Sequence, residues 1–226
     1  MTFLTTNFLS HADLRDGIIE TCLAMNRLGI NHGKSGNVSA RVADGFLVTP
    51  TGIAYEQLQR EQIVAMRHDG SHAGDVLPSS EWRFHRDIYR ARPEVQAIVH
   101  THASYATSLA CLARPIPAFH YMVACAGGND IRCAPYATFG SQELSDHAVA
   151  ALADRRACLL AQHGMIAIDD SLAAALALAV EVEALARMYC QALQIGEPRL
   201  LTEAEMKLVL EQFRTYGQPF LPAETH

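Results

Sequence analysis

The segment PEVQAIVHTHASYA, Pro93–Ala106, carries an apolar run that ends in two histidines one residue apart. Val95–Val99 has the length and composition of a buried strand ending in His100-Thr101-His102. Residues i and i+2 of a strand share a face, so the two imidazoles stand side by side at its end. A His-x-His can simply close a strand. Here a third histidine, His163, ends a second apolar run (Ala157–Gln162), and Glu81 stands upstream at the start of an expected helix. Three neutral imidazoles and a carboxylate suit Zn²⁺ or a similar divalent ion, and a displaceable position would make such a site catalytic.

Working outward, the chain is 226 residues long with 50% hydrophobic and 19% charged side chains, which suits one soluble domain spanning 1–226 with a sizeable core. Residues 1–9 and 218–226 read as loose tails. The net charge of −6 argues against nucleic acid as a partner and leaves any anionic substrate to local donors. None of the six cysteines forms a C-x-x-C pair, and most sit among apolar neighbours, as reduced core cysteines do. There is no secretory pattern at the start. The apolar run Leu172–Val180 is followed by Glu181 and Glu183 and is too short for a bilayer, so a cytoplasmic protein without membrane contact is expected.

Upstream, apolar spacing predicts a helix over Asp13–Leu28, stopped by Gly29. Gly33–Ser39 reads either as a plain turn or as a loop open to a ligand. It lacks the spacing of a P-loop. Val38–Val42 and Gly45–Thr49 read as a hairpin turning at Asp44-Gly45, and Ile63–Met66 as a third strand. His68 and His72 fall in a polar loop and are expected to be solvated. Pro78-Ser79-Ser80-Glu81 opens a helix reaching about Ala91, where the serines can cap free N–H groups or meet a phosphate.

Downstream, helices are expected over Tyr105–Leu112, Ser141–Ala153, Leu172–Ile195 and Glu203–Tyr216, the last opened by a Thr202-x-x-Glu205 capping box. Strands are expected over Ile131–Ala134, at an edge, and over Cys158–Ala161 and Met165–Ile168. The fold class is α/β: a layered sandwich whose central sheet is largely antiparallel and covered by helices.

Five separated segments, Gly36-Asn37-Val38-Ser39, Thr49-Pro50-Thr51-Gly52, Pro78-Ser79-Ser80-Glu81, His100-Thr101-His102 and Gln162-His163-Gly164, resemble the motifs of the class II aldolase/adducin family in order and rough spacing. The resemblance covers nearly the whole chain, up to Thr215-Tyr216-Gly217, and is nearest the branch acting on L-fuculose 1-phosphate. The short N-terminal extension and the stretch after Gly217 depart from that pattern.

The resemblance implies a zinc-dependent, reversible cleavage of a ketose 1-phosphate into dihydroxyacetone phosphate and an aldehyde. It implies His100, His102, His163 and Glu81 as metal ligands, with Glu81 also the acid/base. Gly36, Asn37, Thr51, Gly52, Ser79 and Ser80 would hold the phosphate. Tyr121, which on its own reads equally as a half-buried interface tyrosine, would be a catalytic residue given by a neighbouring subunit. Phe139 and Tyr216 would lie near the aldehyde. A four-fold homotetramer with active sites between subunits is the implied assembly.

Other chemistries on the same scaffold stay open: a 5-deoxy- or 5-methylthio-pentulose-phosphate aldolase, a decarboxylase, a dehydratase or a 4-epimerase. The last is disfavoured because it typically carries Asp where Glu81 stands. A non-enzymatic adducin-like module would lack the ligands. An unrelated zinc hydrolase is opposed by the phosphate loops and the absence of an H-E-x-x-H helix. The two lysines, Lys34 and Lys207, lie in no apolar setting, which argues against Schiff-base chemistry.

Overall fold

A computed structural model describes residues 11–214. Its elements run α1 (Ala12–Arg27), β1 (Asn37–Val42), β2 (Gly45–Val48), β3 (Val64–Arg67), α2 (Trp82–Ala91), β4 (Ala97–Thr101), α3 (Ser104–Cys111), β5 (Arg132–Ala134), α4 (Gln142–Ala151), β6 (Ala157–Leu160), β7 (Gly164–Asp169), α5 (Leu172–Ile195) and α6 (Glu203–Phe213). A 3₁₀ turn, Tyr121–Ala126, fills the connection between α3 and β5. Among the described residues no helix is long and apolar enough to cross a membrane.

The seven strands form one sheet in the order β3-β2-β1-β4-β7-β6-β5. Five pairings are antiparallel, and β5 with β6 is parallel. The expected largely antiparallel sheet is therefore corrected to a mixed sheet, mostly antiparallel with one parallel pair. The reason is local. From β5 the chain crosses through α4 before returning as β6, and a connection of that length brings it back in the same direction.

Both faces of the sheet are covered. Alternate residues Val38, Ala40, Ala97, Val99, Met165 and Ala167 pack against Ile18, Cys22 and Met25 of α1 and the apolar stripe of α5. The opposite parity, Ile98, Ile166 and Ile168, packs with Phe84 and Ile88 of α2 and with Leu144 and Ala148 of α4. His100 shares the parity of Ile98, so it faces the α2 side, where the Phe84 ring meets it edge-on at 5.4 Å.

Three details position the site. The strand read as Val95–Val99 runs instead over Ala97–Thr101, so His100 lies within it, paired with Asn37 of β1 and Ile166 of β7. The expected serine cap of α2 is not made. Glu81 is the N-cap residue and makes no side-chain capping bond, while Ser79 Oγ accepts from the Glu81 N–H at 3.3 Å. At the other end of α2, the Arg41 guanidinium donates to the carbonyls of Tyr89, Arg92 and Val95, satisfying groups that a helix end leaves without partners. His68, expected to be solvated, is half-buried with its ring against Phe46, whereas His72 is exposed.

Candidate metal centre

The sheet brings the ends of β4 and β7 together, and three histidines meet there. His100 ends its side of β4, His102 follows it, and His163 comes from the tight β6–β7 turn. Their ligating nitrogens all lie within 4.8 Å of one another. The turn is built for this. Gln162 adopts a left-handed backbone (φ 51°), uncommon for a residue with a side chain. Gly164 allows close approach, because a Cβ there would sit 2.6 Å from the Thr101 carbonyl and 2.9 Å from the His102 ring. Gly36 does the same from the residue before β1, where a Cβ would meet the His100 carbonyl at 2.5 Å.

The donor set fits a divalent cation. His100 Nδ1 donates to the Met165 carbonyl at 2.9 Å, which fixes the ring with Nε2 toward the other donors. That Nε2 is 3.1 Å from His102 Nε2 and 3.2 Å from Glu81 Oε2, and His163 Nε2 is 3.1 Å from Glu81 Oε1. Ligands about 2.0–2.1 Å from a tetrahedral ion stand roughly 3.3 Å apart. Glu81 is 5% exposed, and its Oε1 is buried with no hydrogen-bond partner, an orphan a cation would satisfy.

Burial alone would raise the Glu81 carboxyl, but the adjacent His100 and His163 imidazoles outweigh burial and hold it well below the usual carboxylate range. Burial lowers His102 to about 4, so it is a neutral donor at ordinary pH. Glu183 of α5 accepts the N–H groups of Tyr105 and Ala106, both at 2.9 Å, and so anchors the start of α3 just beyond His102.

The three loops singled out in the sequence are joined beside this centre. Thr51 N–H donates to Leu77 O at 3.1 Å and Ser79 N–H to Thr49 O at 2.9 Å, with a β-bridge between Pro50 and Pro78. Lys34 Nζ donates to Gly52 O at 2.7 Å and ties in the first loop. Thr51, Gly52 and Ser80 are exposed, Ser79 and Gly36 buried. Among the described residues, the hydroxyls of Thr51 and Ser80 and the N–H groups of Gly52 and Ser80 make no hydrogen bond. The Asn37 side chain is committed elsewhere: Nδ2 donates to Glu81 Oε2 at 2.9 Å and Oδ1 faces His85 Nε2.

A cleft of about 310 Å³ opens over Glu81, His102 and His163, lined also by Ser35, Ser80, Tyr136, Phe139 and Gln162. Phe139 lines this cleft with 67% of its surface exposed. Tyr121 is 46% exposed on the 3₁₀ turn and does not line this cleft of its own chain. Tyr216 lies outside the described residues. Sequence reasoning missed Lys34 as a loop tie and Tyr136 as a cleft residue, since neither falls in a periodic pattern. It also missed His85, whose signal was its spacing four residues after Glu81.

The family model for the class II aldolase and adducin N-terminal domain matches residues 16–190. A Rhodospirillum rubrum protein named 5-methylthioribulose-1-phosphate/5-deoxyribulose-1-phosphate aldolase is 56% identical over 208 residues, 92% of this chain and 94% of its own length. An Escherichia coli protein named L-fuculose phosphate aldolase is 54% identical over 201 residues, 88% of this chain and 94% of its own length. A solved structure of an L-fuculose 1-phosphate aldolase superposes with a TM-score of 0.88 at 39% identity, covering 92% of this chain and 99% of that one.

Proposed function

Because the chain belongs to the class II aldolase and adducin N-terminal domain family, we propose that it is a zinc-dependent aldolase cleaving a ketose 1-phosphate into dihydroxyacetone phosphate and an aldehyde. The observation that carries this reading is Glu81, buried between His100 and His163 with one oxygen that makes no hydrogen bond, beside three joined loops with free donors. His100, His102, His163 and Glu81 would hold the ion. When bound, Zn²⁺ would supply Lewis-acid stabilisation of the negative charge that develops as the carbon–carbon bond breaks.

The other steps fall to this chain's own residues. Thr51, Gly52, Ser79 and Ser80 hold the phosphate with hydroxyl and N–H donors, over a floor made by the backbone of Gly36 and Asn37. This fixed end orients the reacting carbons. Glu81 moves the proton at the carbon that becomes nucleophilic in the condensation direction. Tyr121 of a neighbouring subunit, in a homotetramer, handles the proton on the aldehyde-side hydroxyl; its exposure away from its own cleft supports that role. Phe139 and Tyr216 contact the aldehyde portion. The protein acts as a single domain in the cytoplasm.

Two aldehyde classes are supported. One is the hydroxyaldehyde from L-fuculose 1-phosphate. The other is the apolar aldehyde from a 5-deoxy- or 5-methylthio-pentulose phosphate, favoured by the 56% identical relative and by the exposed aromatics Tyr136 and Phe139 at the cleft mouth. A panel of these ketose 1-phosphates, with coupled detection of dihydroxyacetone phosphate, tests the reading. No turnover of any of them by metal-loaded protein would refute it.

A further inference from the structure

Behind Glu81 lies a buried chain of polar groups. Glu81, His85 and Tyr89 follow at four-residue spacing on one face of α2, and Asn37 and Ser39 share one face of β1. The two rows interlock. Tyr89 Oη is 2.8 Å from Ser39 Oγ, and Ser39 Oγ is 2.7 Å from His85 Nδ1. His85 Nε2 is 2.5 Å from Asn37 Oδ1, and Asn37 Nδ2 is 2.9 Å from Glu81 Oε2. All five residues are at most 5% exposed.

The chemistry fixes every direction in this chain. An ionised Glu81 can only accept, so Asn37 must turn its NH₂ toward it and its carbonyl toward His85. His85 must therefore donate from Nε2 and accept at Nδ1. Ser39 donates to that Nδ1 and accepts from the Tyr89 hydroxyl. Buried polar rows normally close on themselves, because an unpaired buried polar atom is costly. This one ends open. Oε2 of Glu81 is held, while Oε1 is buried without a hydrogen-bond partner and faces the histidine centre. The row cannot conduct a proton along its length, since a neutral amide interrupts it at Asn37. What it can do is orient.

We propose that His85 is a positioning residue: by anchoring the Asn37 carbonyl, it holds Glu81 by Oε2 and keeps Oε1 directed at the cleft for proton transfer. Without the His85 donor the Asn37 carbonyl has no partner. The amide then shifts to find one, which loosens its hold on Oε2 and takes Glu81 out of line. This inference rests on the aldolase reading of the site.

The experiment compares wild type with His85→Phe, His85→Asn and His85→Gln. Phe removes the donor. Asn is smaller than His and its amide falls short of Asn37, so it does not overfill the site. Gln reaches far enough to donate as Nε2 does. Metal content, thermal stability, KM for the ketose phosphate and deuterium exchange at the reacting carbon of dihydroxyacetone phosphate are measured on each. His85→Phe and His85→Asn should keep their metal and a KM within about twofold, yet exchange about 10–100-fold more slowly, the usual scale for an outer partner of a metal site. His85→Gln should recover most of the exchange.

Metal-loaded His85→Asn exchanging within threefold of wild type would overturn the proposal. So would a Gln variant as slow as Asn at equal stability. If His85→Phe does not fold, the Asn and Gln pair decides alone. Wild type that fails to exchange at all would instead overturn the aldolase reading itself.

Discussion

The Asn37 amide donates to the Glu81 carboxylate at 2.9 Å, joining residues 44 apart in the chain. The first residue of β1 thus holds the N-cap residue of α2, which explains why that helix lacks a side-chain cap. The carboxylate points away from its own helix, toward His100 and His163. Helix stability is given up locally so that the acid can face the cleft.

Metal analysis should find one divalent ion per chain, bound through His100, His102 and His163. Chelation should abolish cleavage, and Zn²⁺ should restore it. His163→Ala should lose the ion under dialysis that leaves wild type loaded. A stripped protein at full activity would end the metal assignment.

Glu81→Gln keeps the shape of the side chain and one oxygen. It should retain the ion through the three histidines and exchange the dihydroxyacetone phosphate proton at least about a hundredfold more slowly, as expected for loss of a general base. Tyr121→Phe should show the opposite pattern, with exchange largely intact and carbon–carbon cleavage slowed. Deuterium incorporation by NMR beside the cleavage assay separates the two roles.

Lys34 is one of two lysines in a chain of net charge −6, and it bridges to the Gly52 carbonyl. Lys34→Met and Ser80→Ala should each raise KM for a phosphorylated substrate by about 10–150-fold, the effect of losing one hydrogen bond to a charged group. The Lys34 effect should shrink with added salt because the residue is exposed. Equal KM values in variant and wild type would place the phosphate elsewhere.

Stability should fall with acid in a defined window. Burial holds His85 neutral in the folded state down to about 3, whereas an unfolded histidine takes up a proton near 6.5. Between those values the unfolded chain binds more protons, so stability is intact above about pH 6.5 and drains as pH falls toward 3. The slope approaches about 1.4 kcal/mol per pH unit for this one group. Urea midpoints at pH 7, 6 and 5 should converge between wild type and His85→Gln, whose residue 85 does not titrate. Parallel curves would remove His85 as the cause.

Glu183→Ala strips two N–H groups at the start of α3 of their acceptor. It should cost about 1–2 kcal/mol in chemical unfolding, as lost helix caps do. It should also weaken metal binding, since His102 enters that helix. Glu183→Gln, which keeps an acceptor oxygen, should do less. Unchanged metal affinity in the Ala variant would confine the role of Glu183 to stability.

What the sequence revealed depended on how local the cause was. α5 was legible over its full span because Ser171 caps it, Gly196 ends it and its apolar stripe is continuous. The Thr202–Glu205 box opens α6 as expected. The histidines were legible because strand parity fixes their side. The bounds of β4 were two residues off because His100 and Thr101 look like an end in sequence. They are strand because Ile166 and Met165, far along the chain, pair with them. The destination of the Asn37 amide was hidden for the same reason: both its partners come from a helix that sequence places 44 or more residues away.

The position of β4 at the middle of the sheet, with β1 on one side and β7 on the other, also sets a schedule. Glu81, His100 and His102 emerge from synthesis well before His163, and the fourth group reaches them only when β7 closes on β4. That contact is distant in sequence and therefore slow to form. A nascent or refolding chain holds an incomplete ligand set until the sheet is nearly whole. The moment of tight metal uptake, followed with a coloured or fluorescent divalent ion, would therefore time the closing of the central strands.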